Sequence, residues 1–163
     1  EPVIWGTQTE DRCLLYFRGL PPGVELETAI DAALSCGHQV ILTPDQLLCF
    51  RSGCGVHLRK TDHLADALDQ LDQLDDPWPI TAGIRHERDI ERQRMWPSDA
   101  LLISPVRETP SHGDMQPLGW ERFSQLARSV GVPAYALGGM TREDQSIVTE
   151  HAGFGVAGIR GFQ

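Results

Sequence analysis

Short apolar runs alternating with amphipathic segments constrain this chain more than any other feature. Eight runs read as β-strands: residues 3–6, 13–17, 39–42, 55–58, 80–84, 100–103, 134–137 and 155–159. Several are apolar without interruption, the pattern of strands covered on both faces. Helix-like segments lie between them at 25–35, 45–51, 62–74, 87–95, 118–130 and 143–151. In the third, Leu64, Leu68 and Leu71 recur at helical spacing among acids; in the fifth, Trp120, Phe123 and Ala127 share one stripe. Asp62 and Thr141 read as N-caps. Strands alternating with helices imply a parallel sheet with right-handed crossovers, and eight of them favour a barrel over an open sheet. Only six residues separate the first two runs, whereas parallel pairing needs a crossover of a dozen or more. The expected architecture is therefore α/β, a TIM-like (β/α)8 barrel with a truncated or irregular first β/α unit.

At 163 residues the chain is long enough for a single domain, over residues 1–163, with a real core. Its formal net charge of −9 disfavours nucleic acid and anionic membrane as partners of this domain, and no apolar stretch approaches the length of a membrane span. Six of the 23 acidic residues lie in residues 62–76, read as the solvated face of a helix. The opening EPVIWG is neither a signal peptide nor headed by Met. A domain cut from a longer cytoplasmic polypeptide is expected. Cys13, Cys36, Cys49 and Cys54 form no C-x-x-C pair, which favours reduced thiols packed as small apolar groups. A zinc site from Cys49, Cys54 and His57 would match no common spacing.

Two glycine-rich strand ends carry the clearest chemical signal. YALGGMT (135–141) leads from a strand into a helix-like segment, and GFGVAGIRG (153–161) follows as the next strand. Backbone N–H groups of two such loops can bind one phosphate, because glycine lets the oxygens reach the amides. The loops after strands seven and eight of a (β/α)8 barrel often form such a site. The plainer reading is that Gly138 and Gly139 only turn the chain out of its strand.

Five segments together resemble the thiamine phosphate synthase and thiazole tautomerase family: GVHLRKTD (55–62), ISPVRETPSH (103–112), PLGWERFSQLA (117–127), VPAYALGGMT (132–141) and GFGVAGIRGF (153–162). The likeness is closest to the branch fused behind a Nudix hydrolase domain, which makes such a domain an expected partner in the same polypeptide. The resemblance implies a TIM barrel. It also implies a synthase reaction that joins a pyrimidine diphosphate to a thiazole phosphate and releases pyrophosphate with Mg²⁺. It places phosphate binding at Gly138, Gly139, Ile159 and Arg160, with Thr109 and Ser111 as hydroxyl contacts and His112 where synthases usually carry Lys. Arg18 is kept from the pattern after strand two, and Asp62 matches a Mg²⁺ carboxylate.

The diphosphate half departs from the family. Gly19 and Leu20 follow Arg18 where a second basic group is expected. Thr43 and Pro44 replace an Asn-Asp pair, with Asp45 one position on. Ile84 stands where a Ser should meet pyrophosphate, although His86 remains. Arg59, Lys60 and Arg85 lie near strand ends and could compensate. The tautomerase His falls at about Ser104, which cannot replace an imidazole acid–base. Three functions stay open on these residues: a domain that binds a thiazole-phosphate-like heterocycle with weak or lost synthase activity, an active synthase, and an accessory domain of a Nudix hydrolase.

Overall fold

The computed structural model describes residues 2–6, 13–17, 19–109 and 115–158. The strands are β1 (Pro2–Gly6), β2 (Cys13–Phe17), β3 (Gln39–Leu42), β4 (Cys54–Leu58), β5 (Ile80–Ile84), β6 (Ala100–Ile103), β7 (Ala134–Leu137) and β8 (Gly155–Gly158). They close into a barrel in sequence order. From β2 to β8 each neighbouring pair is parallel. The first strand runs the other way: β1 is antiparallel to β2, with Pro2 opposite Phe17 and Gly6 opposite Cys13, and antiparallel to β8, with Ile4 opposite Gly158. A six-residue link can join only antiparallel neighbours, so the irregular first unit is an inverted strand that still seals both sheet edges.

Helices α1 (Val24–Ser35), α2 (Leu64–Leu71), α3 (Glu87–Gln93), α4 (Gly119–Ser129) and α5 (Gln145–Glu150) connect the parallel strands. Segment 45–51, expected as a helix, is instead a 3₁₀ turn over Pro44–Cys49. Its cause is a buried amide. The Gln46 side chain, 2% exposed, accepts from the Thr43 N–H at 3.0 Å and donates to the carbonyls of Phe17 at 2.9 Å and Leu20 at 2.7 Å. The turn is thereby pinned to the loop after β2. Thr141 does cap its turn: its N–H donates to Asp144 at 2.9 Å at the head of a 3₁₀ segment, Arg142–Asp144, which runs into α5. Asp62 is not the cap of α2, which starts one residue beyond His63. No described helix is long and apolar enough to cross a membrane.

Strand alternation sorts the core into layers. Val56, Leu58, Ala82, Ile84, Leu101 and Ile103 face the helices and pack with Phe123 and Leu126 of α4. On the other side Val40, Leu42 and Cys54 pack with Leu26, Ile30 and Ala33 of α1. Inside the barrel Ile41, Leu102 and Ala157 meet Leu14, Tyr16, Tyr135 and Leu137. The interior is thus filled by side chains, as in other barrels of this size. Phe123 is fully buried and meets Trp120 edge-on at 5.8 Å between ring centres. Phe123→Ala is expected to lower stability by about 3–5 kcal/mol in urea unfolding, against about 0.5 kcal/mol or less for exposed Glu121→Ala.

Candidate functional site

The carboxyl ends of the seven parallel strands form one rim, the face on which barrel enzymes carry their sites. On it, the β6 and β7 loops interlock. Val106 N–H donates to Leu137 O at 2.9 Å and Arg107 N–H to Gly138 O at 3.2 Å. Gly138 and Gly139 take φ of 98° and 68°. A Cβ at Gly138 would lie 2.6 Å from that of Pro105, and one at Gly139 would lie 2.8 Å from Glu108 O. Both glycines are therefore needed twice over, for the left-handed backbone and for the close approach of residues 105–108. Thr109, half-buried, follows directly in the chain.

One ion pair locks this corner. Arg107 donates to both oxygens of Asp144, at 2.8 and 3.0 Å, and its guanidinium lies 5.2 Å above the Trp120 ring. Partial burial works to raise the Asp144 pKa. The backbone N–H of Thr141 and the Arg107 guanidinium outweigh it and hold the carboxyl below its ordinary value.

Three strands away, the β3–β5 sector is dense in charge, and its charges face one another. Arg59 reaches Asp62 at 2.9 Å and Asp45 at 3.0 Å, while its own N–H donates to Asp62 at 2.6 Å. Asp62 is the better buried of the two acids: its side chain is 8% exposed, that of Asp45 62%. Lys60 pairs with Asp89 at 2.6 Å, and Arg85 donates to the carbonyl of Gln116 at 2.7 Å. Arg92 ties down the intervening turn through the carbonyls of Lys60 at 2.5 Å and Asp62 at 2.8 Å. The three cations that the sequence offered as compensation are each engaged. Ile84 belongs to the core beneath the helices, so its position presents nothing to the rim. His86 is the N-cap of α3, and its N–H donates to Asp89 at 2.9 Å.

A polar group that sequence reasoning did not assemble lies within the barrel. His57 Nδ1 sits 3.0 Å from Thr81 Oγ1, and the Tyr16 ring centre is 5.5 Å from that of His57. On the β7 side, burial raises the Tyr135 phenol. Period-two alternation along β2, β4, β5 and β7 was the signal available for these residues. The same alternation separates the zinc candidates. Cys54 faces α1 among Val40, Leu42 and Cys49, whereas His57, three residues on, points to the other face. Burial pushes the Cys54 thiol up. Among the described residues no three His, Cys, Asp or Glu side chains gather as a metal site. Of the residues assigned to binding, Gly138, Gly139, Thr109 and Asp62 are placed as above; Arg18, Ser111, His112, Ile159 and Arg160 lie outside the described residues.

Comparison with known proteins gives a consistent result. The family model for thiamine monophosphate synthase (TMP-TENI) matches residues 26–162. A putative thiamine-phosphate synthase 2 from Aquifex aeolicus is 35% identical over 65 residues, covering 40% of this chain and 35% of that protein. A thiamine-phosphate synthase from Albidiferax ferrireducens is 30% identical over 128 residues, covering 78% of this chain and 50% of that protein. The chain thus spans half or less of the length of these curated relatives. Among solved structures, a thiamine phosphate pyrophosphorylase from Pyrococcus furiosus superposes with a TM-score of 0.65 at 18% identity, over 91% of this chain and 71% of that one. A FabK mutant from Thermotoga maritima superposes at 0.62 with 13% identity, over 81% and 47%. These two likenesses concern the fold.

The Asp144 carboxyl has a lowered folded pKa, so its stabilising effect is present above the unfolded value of about 4 and is lost as pH falls through the folded value. Asp144→Asn should therefore lower stability by about 1.5–3 kcal/mol at neutral pH. The gap to the parent protein should close progressively below about pH 4, as read by chemical denaturation across pH.

Proposed function

This chain belongs to the thiamine monophosphate synthase family, and from that premise we propose that it binds a small phosphorylated heterocycle, thiazole-phosphate-like, with synthase activity weak or lost. The binding cup in this reading is formed by the backbone amides of Gly138 and Gly139 together with Ile159 and Arg160. Thr109, Ser111, His112 and Arg18 are further contacts. Backbone amides need no catalytic side chain, so such a cup survives where the chemistry does not.

The observation that carries the reading is the pairing of Arg59, Lys60 and Arg85 with groups of the protein itself. Ionising a pyrimidine diphosphate requires cationic groups aimed at the leaving pyrophosphate, and such stabilisation must be preorganised. Here the described cations Arg59, Lys60 and Arg85 are already neutralised or hydrogen bonded. Each missing contact to a developing charge costs about 2.7–4 kcal/mol, taking oxyanion-hole deletions as the guide, so several together remove powers of ten in rate. A cup without the chemistry suits a domain that serves a partner, and a Nudix hydrolase domain in the same polypeptide is the partner we infer from the branch resemblance.

Formation of thiamine phosphate from the two purified substrates is the direct test. Turnover well below ~1 per second is expected, and a rate at or above that figure overturns the loss of activity. Calorimetry tests the cup separately. Thiazole phosphate should bind, and Arg160→Ala should weaken it by about 5- to 150-fold, the loss of one charge-assisted hydrogen bond. Unchanged affinity in a folded variant removes Arg160 from the site.

A further inference from the structure

The family implies Mg²⁺ held by carboxylates at the ends of β3 and β4, and the donor set at that place does not fit it. Asp62 Oδ2 accepts from the Arg59 backbone N–H at 2.6 Å, and Oδ1 accepts from Arg59 Nε at 3.1 Å and Nη2 at 2.9 Å. Both oxygens are thus faced by protons of one residue. The third guanidinium nitrogen, Nη1, turns to Asp45 Oδ1 at 3.0 Å. Mg²⁺ demands oxygen ligands at about 2.0–2.1 Å in a near-octahedral shell. Admitting it here would mean expelling a guanidinium that is hydrogen bonded on two edges.

The turn cannot swing aside easily either. Asp62 N–H donates to Arg59 O at 3.0 Å, and Arg92 grips the carbonyls on both sides of Thr61. A guanidinium stays protonated at any pH the fold survives, so this cation is permanent.

We propose that Arg59 is a resident cation: its guanidinium fills the place between Asp45 and Asp62 that a divalent ion would take, and it closes this part of the rim to Mg²⁺. The charge balance changes with it. Two carboxylates with a divalent ion sum to zero, whereas two carboxylates with one guanidinium sum to −1. A diphosphate approaching the β3–β4 sector meets a net negative cluster instead of a neutral, metal-bearing one. Arg59 acts as a specificity-determining residue in this way, turning the rim from diphosphate ligands toward ligands held elsewhere. The inference does not depend on whether a phosphorylated heterocycle binds at the glycine corner.

Mn²⁺ serves as the probe, titrated into the purified chain and followed by electron paramagnetic resonance of the free ion. Circular dichroism confirms that each variant is folded. The parent protein and Asp62→Asn are expected to bind Mn²⁺ equally weakly. Arg59→Ala is expected to gain affinity by about tenfold or more, through removal of the competing positive charge, and the gain should vanish in Arg59→Ala/Asp62→Asn. Arg59→Met, which keeps the apolar stem, is a second route to the same readout. Two results overturn the proposal: Mn²⁺ binding by the parent protein that Asp62→Asn abolishes, or folded Arg59→Ala and Arg59→Met proteins that gain no Mn²⁺ affinity. The first comparison needs neither Arg59 variant to fold.

Discussion

Closure of the sheet is the condition on which the remaining structure rests. A parallel sheet of seven strands leaves two open edges, β2 and β8, each with a row of unpaired backbone groups. The inverted β1 pairs with both, so a single short strand satisfies the two edges and completes the barrel. Antiparallel pairing is the arrangement that its short link to β2 permits. With the barrel closed, the carboxyl ends of all parallel strands point to one face, and loops from distant parts of the sequence meet there.

What those loops do on meeting is mainly to satisfy one another. The chain carries 23 acidic and 14 basic residues, and on the rim the described cations Arg59, Lys60, Arg85 and Arg107 are drawn to carboxylates or carbonyls. Arg107 with Asp144, Lys60 with Asp89, and Arg59 with Asp45 and Asp62 each link two successive β/α units or close one turn. Exposed pairs of this kind contribute little individually. The contribution grows where the acid is sheltered, as at Asp62, Asp89 and Asp144, whose side chains are 8–14% exposed. The same pairing that orders the loops removes the charges from use on a ligand.

Glycine placement shows the same economy of means at the opposite side of the rim. Gly138 and Gly139 could be read along the chain as a phosphate loop or as a plain turn. The packing gives them a structural reason independent of any ligand, since residues 105–108 lie too close for a Cβ. The loop architecture at this corner follows from that packing constraint, which leaves the proposed phosphate role of the glycines open beside it.

Much of this protein was legible along its chain. The strand boundaries at 13–17, 39–42, 80–84, 100–103 and 134–137 follow from apolar run length, and the anomaly of the first unit follows from a link too short for a crossover. Both are local quantities, which is why sequence alone determined the α/β barrel and the special status of β1. The turn at Pro44–Cys49 was missed because its cause, Gln46 bonding to the carbonyls of Phe17 and Leu20, spans more than twenty-five residues. The role of Arg59 was open for the same reason. A basic residue at a strand end can serve a ligand, a neighbour or solvent, and nothing in its sequence neighbourhood decides which. Only the tertiary structure, by setting the end of β3 beside the end of β4, brought the guanidinium between Asp45 and Asp62. Charge pairing depends on distances in space, and those exist only after the barrel has closed.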